Sequence, residues 1–141
     1  MDKGCDGVSI KFMLKWLIFE LESTDVGTRS MVAKGQARDG AGGFAPMAAR
    51  MKKMIYDCAV EESAMRHTLK CRWGHSAQHE RPGLGESLYA HSLRQDKIVA
   101  ATEACRLWFD ELAKYGVGQA NVLTQELWNI KGVQIGHYTQ V

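Results

Sequence analysis

A mixed α+β domain is the fold class the sequence predicts, and three observations predict it. Apolar residues recur at helical spacing from Met47 to Leu69 and again from Ile98 to Tyr115, whereas Val133, Ile135, His137, Thr139 and Val141 follow a period of two. A chain of 141 residues supports one such domain with a real core, and 45% hydrophobic with 24% charged residues is an ordinary globular composition. No segment reaches the ~18 consecutive apolar residues that span a bilayer. The formal net charge is +2, and its positive surplus lies in residues 29–72. That is a small footprint for nucleic acid, and no such partner is expected.

Taken in order, the first apolar stretch is Phe12–Phe19, and it makes a poor secretory signal. Lys15 interrupts it, Asp2 and Asp6 dilute the positive end, and Glu20-Leu21-Glu22 stands where small residues would mark cleavage. A short helix is expected through Ser30–Lys34, ending at Gly35. The glycines of Arg38–Gly43 predict a flexible connection. Pro46 suits a first helical position, and Met47, Met51, Met54, Cys58, Met65 and Leu69 then mark one face of a long helix, the methionines serving as core filler. Cys58 and Cys71 on that helix would lie roughly 20 Å apart at 1.5 Å per residue, too far to bond. Leu84–Ala90 reads as a strand. A second helix runs from Lys97 to Tyr115, with Asp96 as N-cap, Gly116 as the stop, and a core stripe of Ile98, Ala101, Cys105, Trp108, Leu112 and Tyr115. At 100° per residue Glu111 falls beside that stripe and looks into a cleft, while Asp110 points to solvent. Val133–Val141 reads as the second strand, with His137 on its apolar face.

Local chemistry is sparse. Cys5, Cys58, Cys71 and Cys105 match no zinc-finger, CxxC or haem spacing, and there is no HExxH, GxSxG, P-loop or GxGxxG. Taken alone, His137 reads as a hydrogen-bonded core residue and Glu86 as a solvated strand carboxylate.

The order of segments carries more. Met54-Ile55-Tyr56-Asp57-Cys58 with Glu61, Gly85-Glu86-Ser87-Leu88-Tyr89, Trp108-Phe109-Asp110-Glu111-Leu112 and Gly136-His137-Tyr138-Thr139-Gln140 resemble the CAP superfamily of cysteine-rich secretory, antigen 5 and plant pathogenesis-related proteins. Arg29–Gly35, Arg81–Glu86 and Tyr115–Gly118 look like its activation-associated secreted, or venom-allergen-like, members from parasitic nematodes. The resemblance covers residues 29–141 and implies an α-β-α sandwich. It sets residues 1–28 apart as a segment of doubtful origin, since Asp25-Val26 stands where the family has His-Asn. It also implies strands and a second signature beyond Gly136–Gln140, so the domain is expected to be C-terminally truncated at Val141. Cys105 has no family counterpart and reads as a small buried residue.

The resemblance further implies a cleft lined by two His and two Glu, which map onto His75, Glu86, Glu111 and His137. His67, His79 and His91 fall outside that set and read as surface or loop residues. Imidazoles are good Zn²⁺ ligands, and carboxylates either bind the ion, hold a water or orient an imidazole. The expected function is therefore that of a secreted, extracellular, non-enzymatic protein with a divalent-cation cleft, engaging host proteins or cell surfaces as an immune-modulating factor. A lipid or sterol carrier, which needs an apolar pocket between helices, and a metal-dependent hydrolase, which needs acid–base machinery around a bound water, are the alternatives.

Overall fold

The computed structural model describes residues 27–52, 55–93 and 95–140. Phe12–Phe19, Cys5, Met54 and Val141 lie outside the described residues. Helix α1 covers 27–33 and gives way to a turn at 34–35, close to the expected Ser30–Gly35. Its Val32 is buried against Ala37, Ala45 and Leu112.

The glycine-rich stretch after α1 is a built turn, not the expected flexible connection. Arg38 and Phe44 form an antiparallel bridge, and the Gly42 N–H donates to the Asp39 carbonyl at 3.0 Å. Asp39 is buried. Its carboxylate accepts from the N–H groups of Ala41 at 2.7 Å, Val117 at 3.2 Å and Gly118 at 2.9 Å. A charged acceptor shared among three amide donors holds this turn against a distant part of the chain.

Helix α2, Cys58–Thr68, is much shorter than the methionine spacing predicts. Asp57 starts it, its carboxylate accepting from the Ala59 and Val60 N–H groups at 2.8 and 3.2 Å. An N-cap has non-helical backbone, so the residues before it cannot continue the helix, and the described part of Pro46–Tyr56 is irregular. Nor are the described methionines of that pattern, Met47, Met51 and Met65, buried as core filler. Met47 is 74% and Met65 46% exposed, while the buried face of α2 is Ser63, Ala64 and His67. Cys58 carries a free, exposed thiol and is not bonded to Cys71, which lies past the end of α2 and not on the shared helix that was expected.

A 3₁₀ turn at Gln78–Glu80 precedes an irregular segment over 81–88, and Tyr89 takes part only in an isolated bridge. The expected strand at Leu84–Ala90 does not form. Helix α3, Lys97–Tyr115, matches expectation at both ends: Asp96 accepts from the Ile98 and Val99 N–H groups, and Gly116 is the C-cap. Ala101, Cys105, Trp108 and Leu112 are buried as the stripe predicts, Ile98 is not, and Ala100, Ala104 and Glu111 join the buried face. Asp110 faces solvent and pairs with Arg106 at 2.6 Å, both side chains more than half exposed. Asp110→Ala should therefore shift stability by no more than about 0.5 kcal/mol in denaturant melts.

Helix α4 is Gln125–Asn129 and helix α5 is Gly136–Gln140, packed on α3. The second expected strand, 133–141, is thus replaced by α5 over most of its length. Three bonds explain this. The Glu111 carboxylate accepts the N–H groups of His137 and Tyr138 at 2.9 and 3.0 Å, satisfying donors that a first helical turn leaves open. The Thr139 hydroxyl donates back to the Ile135 carbonyl at 2.9 Å. Among the described residues there is no strand, so of the α-β-α sandwich they display the helices and isolated bridges. No helix among them is long and apolar enough to cross a membrane.

Candidate functional site

The four candidate residues arrive from two regions. His75 and Glu86 lie on the irregular segment between α2 and α3. Glu111 lies on α3 and His137 on α5. Glu111 is buried, as the helical phase predicts.

The Glu86 side chain is 0% exposed and acts as a hub. It accepts from His75 Nδ1–H at 2.7 Å, the Ser76 N–H at 2.8 Å and the Ser76 hydroxyl at 2.7 Å. Arg81 Nε stands 3.9 Å away. Burial alone would raise this carboxyl's pKa, but the two Ser76 bonds, His75 and the nearby His67 together outweigh it and hold it below the usual value. A carboxylate can only accept, so His75 carries its proton on Nδ1, and its Nε2 lone pair is left for a ligand. Glu86 is thus not the solvated strand carboxylate its local sequence suggests.

Glu111 repeats the arrangement. One oxygen takes His137 Nδ1–H at 2.6 Å, and the other takes the two backbone N–H groups that start α5. Trp108 stacks on the His137 ring, centroids 5.6 Å apart and planes 18° from parallel. Both imidazoles reach solvent, His75 with 57% and His137 with 36% of the side chain exposed. The structure therefore shows the quartet as two His–Glu pairs. Among the described residues no group of three or more His, Cys, Asp or Glu side chains is placed to hold one ion.

A further expectation is overturned. His67 is not a surface residue: it is buried on α2, with Nε2 2.9 Å from the Gly74 carbonyl and 4.0 Å from Glu86 Oε2. Ser63 and Ala64 share its face, and small residues one turn away are the sequence signal of a close approach there. Sequence reasoning also missed Ser76, although it adjoins His75. His79 is exposed on the 3₁₀ turn, and His91 lies in the loop before α3, both as expected.

The Glu86 geometry sets a pH dependence. A carboxyl whose folded pKa is lowered stabilises the fold fully above its unfolded pKa, near 4.3, and loses that contribution as pH falls through the lower folded value. Glu86→Gln should cost roughly 1–3 kcal/mol at pH 7, the worth of hydrogen bonds to a buried charge. The gap to wild type should narrow below about pH 4 in urea melts run from pH 7 to 3. A gap unchanged over that range would show that Glu86 is not held as the anion.

The chain was compared with known proteins. No family profile matches it. It is 56% identical over 114 residues to the Ancylostoma secreted protein of Ancylostoma caninum, covering 80% of this chain and 27% of that protein. The chain thus spans about a quarter of that relative's length. Among solved structures it resembles Na-ASP-1, with TM-score 0.84 and 45% identity, over 99% of this chain and 35% of that one. It also resembles NaASP2, in a crystal structure with Zn²⁺, with TM-score 0.81 and 42% identity, over 96% of this chain and 68% of that one. These likenesses give the chain the α-β-α fold of CAP domains. With more than two thirds of NaASP2 covered at that identity, the chain belongs to the CAP superfamily, among the activation-associated secreted, or venom-allergen-like, proteins.

Proposed function

We propose that this chain acts as a secreted, extracellular, non-enzymatic protein that binds a divalent cation, Zn²⁺ by the chemistry of its donors, through the Nε2 atoms of His75 and His137. The carrying observation is the repeated pairing in which a buried carboxylate takes the Nδ1 proton of a partly exposed imidazole and leaves its Nε2 for a ligand. A carboxylate behind an imidazole fixes the ring and its tautomer and raises its basicity as a ligand, which suits each ring to such an ion. When bound, Zn²⁺ would supply a positive charge, held by His75 and His137. Glu86 and Glu111 hold the protons at Nδ1, and Trp108 steadies the His137 ring from its face. Ser76, the hydroxyl bonded to the first pair, is buried and directs its proton to Glu86. It orients that carboxylate and is not poised as a nucleophile, which favours binding over hydrolysis.

The relatives' name as secreted proteins supports an extracellular role, and the NaASP2 structure with Zn²⁺ supports the choice of ion. Host proteins or cell surfaces are the proposed partners, met by an immune-modulating factor. The carrier alternative has one observation in its favour. A cavity of about 250 Å³ is lined by Val32, Met51, Trp108, Phe109, Leu123 and Tyr138, among others. It falls below the ~300–1,000 Å³ of small-molecule pockets, so it ranks second. Strong retention of a fluorescent sterol by the chain would reverse that order.

Calorimetry with ZnCl₂ is the test of the metal reading. The His75→Ala/His137→Ala variant should lose Zn²⁺ binding by at least about 100-fold, two ligands being removed, and keep its far-UV circular dichroism, because both rings sit at the surface. Unchanged affinity would overturn the ligand assignment. Zn²⁺-dependent peptide cleavage that vanishes with Glu86→Gln or Glu111→Gln would overturn the non-enzymatic reading.

A further inference from the structure

His67 has been given no part in the proposed metal site, and its chemistry is peculiar for a core residue. It is 6% exposed. Its Nε2 lies 2.9 Å from the Gly74 carbonyl, an acceptor only, so Nε2 carries the proton. In the neutral ring Nδ1 is then a lone-pair acceptor, and that buried atom has no hydrogen-bond partner. An apolar side chain of similar size would fill the same volume without stranding a polar atom. The imidazole does what such a side chain could not. It grips the peptide unit immediately before His75, and its polar edge lies 4.0 Å from Glu86 Oε2, across from Arg81 Nε at 3.9 Å.

We infer that His67 is a positioning residue for the proposed metal site: its Nε2–H fixes the Gly74 carbonyl and its ring backs Glu86, so that His75 is held in the tautomer that presents Nε2 to a cation. His67 itself is not a ligand. The inference rests on the metal-binding reading for its purpose, but its structural content is measurable without metal.

The experiment has two arms on the full chain. In the first, long-range ¹H–¹⁵N correlation spectra of the imidazole rings are recorded without metal for wild type, His67→Leu and His67→Gln. Leucine fills the space and donates nothing, whereas glutamine keeps an N–H donor. The His75 ring should be a single Nδ1–H tautomer in wild type and His67→Gln, and a mixture in His67→Leu. In the second, calorimetry with ZnCl₂ alone should show His67→Leu binding about tenfold more weakly, the lower end of losses seen when a residue behind a ligand is changed, with His67→Gln close to wild type. A merely structural His67 would lower the melting temperature and move neither readout.

An unchanged His75 tautomer and unchanged Zn²⁺ affinity in folded His67→Leu overturn the inference, as does His67→Gln failing as badly as His67→Leu. If His67→Leu does not fold, His67→Met is the second donor-free variant. A wild-type spectrum showing His67 as the Nδ1–H tautomer overturns the inference with no variant at all. Failure of the metal reading looks different: wild type then binds Zn²⁺ no better than His75→Ala/His137→Ala, while the tautomer arm still decides the part played by His67.

Discussion

Trp108→Ala is expected to remove about 3–5 kcal/mol of stability, the usual cost of deleting a buried aromatic side chain from a core. Against a total of about 5–15 kcal/mol for a native domain, that is a large share. Trp108 is buried with Tyr89, Ala100 and Ala104, and three of its interactions fail together. The indole fills the space between α3 and the 88–89 segment. Its Nε1–H donates to the Leu88 carbonyl at 3.3 Å, which the deletion leaves without that partner. Its face supports the His137 ring. Trp108→Phe keeps a ring for the stacking and loses the donor, so it should fall well short of the alanine loss. Urea melts of both variants beside Asp110→Ala provide the check. Equal losses for Trp108→Ala and Asp110→Ala would mean that α3 presents a different face to the core.

Gly116→Ala is expected to cost about 3–5 kcal/mol although it adds a single methyl group. The residue sits at φ 75° and ψ 162°, a region that side chains rarely adopt and that costs roughly 1–3 kcal/mol when forced. A Cβ there would also lie 2.1 Å from the Ala41 nitrogen and 2.2 Å from Asp39 Oδ1. Neither neighbour can move freely, since the Asp39 carboxylate is occupied by three amides, and such overpacking typically adds about 1–3 kcal/mol. Gly118→Ala makes the control: it too has positive φ, but a Cβ there meets nothing within 4 Å. A melt that shows the same loss at both positions would assign the effect to backbone strain alone.

Why some of this was legible in the sequence and some was not comes down to how far away the deciding group lies. Helix α3 could be read to the residue because Asp96, Gly116 and the stripe between them are all local, and the same phase argument put Glu111 inside and Asp110 outside. Helix α2 is shorter than the methionine spacing predicts although the signal for its start is equally local. Asp57 stands within the methionine pattern, and a carboxylate there caps the chain behind it and stops any helix ahead of it. The 133–141 segment could not be read this way. Its alternation is real, but the acceptor that turns it into a helix belongs to Glu111, 26 residues earlier. The site shows the same division. Nothing in Trp73-Gly74-His75-Ser76 announces Glu86, and it was the family resemblance that named all four residues. That resemblance was silent on His67, whose burial follows from the small face of α2 and its approach to Gly74.

The Asp39 cluster has a kinetic consequence. Its bonds to the Val117 and Gly118 amides span 78 and 79 residues of chain. They form only after that loop has closed, so they are absent from any early, locally folded species and act chiefly as a brake on unfolding. They also close the route by which the turn after α1 could lift off the end of α3 while the rest stays folded. Amide hydrogen exchange at Val117 and Gly118 then reports on that partial opening, and in Asp39→Asn both amides should exchange much faster while those in the middle of α3 change little. Helix α1 and the turn after it are thereby made one cooperative unit with α3, so the support that Val32 and Leu112 give Tyr138 of α5 depends on this single carboxylate keeping its donors.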